Sequence, residues 1–67
     1  MLKFGERLFE LRNEKNLSTR HLAAELGIHH SAISKWEKGE HEPLISIVIK
    51  LAKYFDVSVG YMAGVED

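Results

Sequence analysis

The chain has 67 residues, 45% hydrophobic and 28% charged, with no cysteine and a formal net charge of −1. That length holds one small domain with a thin core, the apolar fraction excludes disorder, and the missing cysteines exclude a disulfide staple or a thiolate metal site. The near-neutral charge excludes a broadly basic nucleic-acid binder, so any phosphate contact has to come from a local cluster, for which Arg20, Lys35 and Lys38 are the candidates.

In chain order, a first helix is predicted over 3–15, with Phe4, Leu8 and Leu11 lining one face. Residues 13–16 are polar and form a turn. Ser18 is a good N-cap for a second helix, in which Leu22, Ala23 and Leu26 recur at helical spacing. Gly27 follows, where a helix needs a residue that tolerates positive φ. In a third helix Ile33 and Trp36 repeat the spacing, while His30, Ser31, Ser34 and Lys35 face elsewhere. Ala23 is short enough to let these two helices cross closely. Two short helices broken by one glycine have the layout of a helix-turn-helix, whose second helix fits the major groove of B-form DNA. Trp36 reads as a packing anchor for that helix and not as a base-stacking platform.

Residues 38–43 read as a loop, with Gly39 ending the third helix and Pro43 in the first turn of the fourth. The fourth helix runs to Phe55 and is unusually apolar. Ile45, Val48, Ile49, Ala52 and Phe55 form one stripe; Leu44, Ile47, Leu51 and Tyr54 form a second. Two readings stand: the helix is central and covered on both sides, or the second stripe is a symmetric dimer seam. Residues 56–58 form a turn, and Ser58 caps a short last helix through Tyr61 and Met62. Only Val57, Ser58 and Val59 alternate as a strand would. The apolar stretch 44–49 is too short to cross a bilayer, and the N-terminus does not read as a signal peptide. A soluble cytoplasmic protein is expected, with residues 1–67 forming a single domain.

These residues carry a resemblance that covers nearly the whole chain. Phe4-Gly5-Glu6-Arg7-Leu8 with Leu11-Arg12, Leu17-Ser18, Leu22-Ala23, Leu26-Gly27-Ile28, Pro43, and Leu51-Ala52 with Asp56-Val57-Ser58 all contribute. The most specific run is Ile33-Ser34-Lys35-Trp36-Glu37-Lys38-Gly39. Through them the chain resembles the Cro/CI-type, or XRE-like, helix-turn-helix repressors. The resemblance implies an all-α, compact five-helix domain of the lambda-repressor-like type that binds double-stranded DNA as a homodimeric transcriptional regulator on a palindromic operator. It places His30, Ser31, Ser34 and Lys35 at base edges, and Thr19, Arg20, His29 and Lys38 at phosphates. It pairs Arg12 with Glu37 in a structural ion pair. Three positions depart from the pattern. Thr19 stands where many members have glutamine, and His29 where many have a serine or threonine cap. Glu40 and Glu42 make the loop before Pro43 acidic, so weaker or more salt-sensitive binding is expected.

The four histidines raise the question of a metal. On a helix His29 and His30 diverge by about 100°, and His21 and His41 are distant in sequence, so no metal site is expected. Protonation of His30 near phosphate would instead tighten binding as pH falls. No glycine-rich phosphate loop or activated nucleophile is present, so neither an enzyme, a cofactor, a small-molecule ligand nor a membrane partner is expected. The alternative function is a protein-interaction module, anti-repressor or antitoxin-like, that keeps the fold; such a module would lack the salt-dependent affinity for arbitrary duplex DNA that a DNA reader shows.

Overall fold

The computed structural model describes residues 3–67 and contains five helices: α1 Phe4–Glu14, α2 Thr19–Leu26, α3 His30–Glu37, α4 Ile45–Phe55 and α5 Val59–Ala63. No strand occurs among the described residues; residues 57–59 instead lead into α5 through its cap. Ser18 accepts from the His21 amide at 3.0 Å and Ser58 from the Tyr61 amide at 2.9 Å, each satisfying a donor that the first turn leaves open.

All five helices end in one way. A residue in the left-handed region follows each (Asn16, Gly27, Gly39, Asp56 and Gly64, at φ between 55° and 84°). The next amide then returns to a carbonyl five residues back: Leu17 to Arg12 at 3.1 Å, Ile28 to Ala23 at 3.0 Å, Glu40 to Lys35 at 2.9 Å, Val57 to Ala52 at 3.0 Å and Val65 to Gly60 at 3.0 Å. This Schellman closure explains how so short a chain reverses direction repeatedly without long loops. Lys50 adds a further cap, donating from Nζ to the Leu26 carbonyl at 3.2 Å and so tying α4 to the end of α2.

The core is one cluster built from every helix: Phe4 and Leu8, Leu22, Ala23 and Leu26, Ile33, Val48, Leu51, Ala52 and Phe55, then Met62 and Ala63. On α4 the buried positions are Val48, Leu51, Ala52 and Phe55, an i, i+3, i+4, i+7 stripe. This corrects the assignment of Leu51 to an outer seam: its side chain is fully buried in the protein's own core. Ile47 and Tyr54 are half-buried against the same core, Tyr54 edge-on to Phe55 at 5.0 Å. The exposed apolar residues of this region are Leu44, Ile45 and Ile49. Pro43 also lies elsewhere than expected. Leu44, in an extended conformation, is the N-cap of α4, which leaves Pro43 before the helix and buried.

Two residues of α1 set its position. A Cβ on Gly5 would sit 2.5 Å from the Trp36 carbonyl oxygen and 2.9 Å from that of Glu37, so only glycine lets α1 lie this close to the end of α3. Arg7 is buried and holds the C-terminal segment. It donates to the Tyr61 carbonyl at 2.8 Å and to the Glu66 carbonyl, and its guanidinium lies 4.0 Å from the centre of the Tyr61 ring.

Candidate nucleic-acid interface

Orientation of α3 follows from what it buries. Ile33 is fully buried, and Trp36 packs against the core with its ring edge-on to Phe4 at 6.3 Å. Of the four expected base-facing residues, His30, Ser31 and Ser34 are half-buried and Lys35 is exposed. Ser31, Ser34 and Lys35 turn away from Ile33, whereas His30, three residues before Ile33, stands at the edge of the buried face. Three features hold the helix in place. Ala23 is buried where α2 meets α3; Gly5 allows the close approach of α1; and the Arg12–Glu37 pair clamps α1 to the last turn of α3. In that pair Nε of Arg12 donates to Oε2 at 2.7 Å and Nη2 to Oε1 at 3.0 Å, while Nη1 donates to the Leu17 carbonyl at 2.6 Å. The Glu37 hydrogen bond raises the Arg12 pKa above its already high ordinary value.

Of the phosphate candidates, Arg20, His29 and Lys38 are exposed and Thr19, the first residue of α2, is half-buried. Desolvation first, then the charge of Arg20 and the neighbouring His29, hold the His30 imidazole below its ordinary pKa. Arg7 and Arg12 are committed to internal contacts, whereas Arg20, Lys35 and Lys38 are exposed. Glu40 and Glu42 are exposed on the following loop.

His29 does more than its sequence position suggested. It is the N-cap of α3, in an extended conformation, and its Nδ1 accepts from the Ser31 amide at 3.2 Å. Because it sits outside the helix, the helical divergence expected between His29 and His30 does not apply. Their rings stack, with centroids 4.5 Å apart and planes 27° from parallel. His21 instead faces Glu25 one turn away at 3.4 Å. Among the described residues, no group of three or more histidine, cysteine or carboxylate side chains converges to hold a metal. A surface cleft of about 450 Å³ lies between the start of α1 and the end of α3, lined by Phe4, Trp36 and Pro43 among others; none of the four base-facing candidates lines it.

The features that sequence reasoning missed were partly legible. Arg7 falls on the apolar stripe of Phe4, Leu8 and Leu11, where a buried cation needs carbonyl partners. The stacked histidines had no such signal, because stacking depends on the backbone at the N-cap.

A sequence model of the family described as "Helix-turn-helix" matches residues 8–62, which take in α2, α3 and the core of α4. The chain belongs to this helix-turn-helix family. Its relatives include the HTH-type transcriptional activator BcrR of Enterococcus faecalis, 35% identical over 98% of this chain and 32% of that protein. The HTH-type transcriptional regulator PuuR of Escherichia coli is 42% identical over 82% of this chain and 30% of its own length. The cryptic phage CTXphi transcriptional repressor RstR of Vibrio cholerae is 30% identical over 94% of this chain and 56% of its own length. The chain thus spans about a third of BcrR and of PuuR and about half of RstR. What it shares with these transcriptional regulators is the helix-turn-helix domain. Among the described residues no helix is long and apolar enough to cross a membrane.

Proposed function

We propose that this helix-turn-helix domain binds double-stranded DNA sequence-specifically, with α3 in the major groove, as part of a homodimeric repressor on a two-fold symmetric operator. The observation that carries the reading is the polar set His30, Ser31, Ser34 and Lys35, which α3 keeps out of the core cluster. Donors and acceptors there match what base edges offer, and Lys35 fits a guanine edge. Arg20, Lys38 and Thr19 flank the helix and suit phosphate contacts that fix its register. The acidic residues Glu40 and Glu42 work against that attraction, so affinity is lower than in a basic member of the family.

Size supports the dimer. The domain's longest dimension is 27 Å, shorter than the roughly 34 Å between half-sites one helical turn apart, so one copy covers one half-site. Leu44, Ile45 and Ile49 expose an apolar surface that a second copy would cover. A repressor role fits occupancy, since a dimer on its operator excludes other proteins from that segment; among the relatives RstR is a repressor by name and BcrR an activator.

Titration of an arbitrary duplex at several salt concentrations tests the reading. Affinity at low salt that falls steeply as salt rises supports it, and Lys38→Ala should flatten the logarithmic slope by about one. No affinity at low salt would favour the protein-interaction alternative.

A further inference from the structure

We propose that His29 is a positioning residue for base reading, acting through His30: its imidazole is the platform that fixes the His30 ring against the groove. The inference rests on the reading of α3 as the DNA-reading helix. His30 is the first residue of α3, where side chains lean toward the helix N-terminus and so over the N-cap. The extended backbone of His29, at φ −80° and ψ 140°, carries its ring to the same place. The result is the stack at 4.5 Å. The platform is itself anchored, because Nδ1 of His29 accepts from the Ser31 amide at 3.2 Å and lies 2.8 Å from the Ser31 hydroxyl.

Anchoring matters because discrimination needs a directed hydrogen bond, which weakens steeply off its preferred angle. A freely turning imidazole presents either nitrogen to either base and selects poorly. Held flat against a fixed neighbour, it presents one edge in one direction. A phosphate contact from His29 would carry no sequence information, so the two roles separate experimentally.

The test compares wild type, His29→Ser and His29→Phe. Serine keeps an N-cap and removes the platform; phenylalanine keeps a stacking ring and removes the cap. Each protein selects from a randomised duplex pool, and the bound fraction is sequenced. One fixed duplex of arbitrary sequence gives the salt slope. His29→Ser should lose about three- to tenfold of the preference at the base pair that His30→Ala also flattens, as expected for one ring–ring contact. His29→Phe should retain that preference, and all three salt slopes should agree. A slope lower by about one in both variants, with preferences intact, would make His29 a phosphate ligand and overturn the proposal. Retention in His29→Ser with loss in His29→Phe would reduce it to a cap, with the same effect. Proton NMR of the free protein separates the proposal from the DNA reading. Ring-current shifts of the His30 ring should be present in wild type and His29→Phe and absent in His29→Ser. If wild type lacks them, the platform is not formed and the proposal fails while DNA binding stands. If they are present but no duplex is bound at low salt, the DNA reading fails and takes the proposal with it.

Discussion

The Arg12 guanidinium meets the Glu37 carboxylate in a two-pronged contact, at 2.7 Å and 3.0 Å, with the two side chains only 12% and 9% exposed. The pair joins the last turn of α1 to the last turn of α3 across 25 residues of sequence. Its third prong to the Leu17 carbonyl, at 2.6 Å, also fixes the turn that leads into α2. The charge pair is thus one of the features that attach α3 to the rest of the domain, beside the buried Ile33 and the core-packed Trp36.

Removing one half leaves the other charge buried and unmatched, which costs about 3 kcal/mol, a large share of the roughly 5 kcal/mol that a domain this small commands. Glu37→Ala and Arg12→Ala should each lower stability by about that amount in urea denaturation. The double variant Arg12→Met with Glu37→Leu should lose far less than the sum, because no charge is stranded. Losses below about 1 kcal/mol in both single variants would place the pair among solvent-screened surface contacts.

Gly5→Ala sets two effects against each other. Alanine favours an exposed helix by about 1 kcal/mol over glycine. Its methyl group, however, would press on the backbone oxygens of Trp36 and Glu37 at 2.5 Å and 2.9 Å, and backbone yields poorly. Overpacking of that kind costs about 1–3 kcal/mol, so net destabilisation of about 1 kcal/mol is expected, seen as a lower Tm. A stabilised variant would show that α1 and α3 separate easily.

Acid should act on His30 in a defined direction. Its folded pKa lies below the ordinary value, through desolvation and then through Arg20 and His29, so the unfolded chain takes up the proton first. His30 therefore contributes nothing to the pH dependence of stability well above its ordinary pKa of about 6.5, and disfavours the folded state as pH falls below it. DNA phosphate acts oppositely by favouring the imidazolium. Duplex affinity should rise as pH falls from about 8 to about 6, with proton uptake on binding, and His30→Gln should flatten that response. An unchanged response in the variant would assign the proton to another group.

Ile45 is 61% exposed, and replacing it by glutamate should leave the fold intact. The change should weaken self-association at least tenfold in sedimentation and lower operator affinity with it, because burying an unpaired carboxylate in a seam is costly. Equal sedimentation of both proteins as monomers at micromolar concentration would contradict a dimer formed through the α4 surface.

Much of this fold is legible in the sequence because its punctuation is local. Ser18, Ser58, Gly27 and Gly39 mark caps and stops through properties of single residues. The spacing of α3 correctly singles out Ile33 as buried and leaves Ser31, Ser34 and Lys35 off its face. What is not legible is tertiary. The period of α4 gives two apolar stripes but not its rotation about its own axis, so Leu51 reads as seam although it is core. The role of Gly5 depends on where α3 ends in space, and the histidine stack on a backbone angle at the N-cap. Pro43 fits a first helical turn by propensity, yet the helix begins later and the ring is buried instead.

The central claim, that the outer side of α3 enters the groove, is tested most directly by amide NMR during titration with a duplex recovered by selection from a random pool. The account predicts that the largest shift changes fall on His30, Ser31, Ser34 and Lys35, with a second group at Thr19, Arg20 and Lys38. Changes confined to α1 or α4, with the α3 amides unmoved, would contradict it.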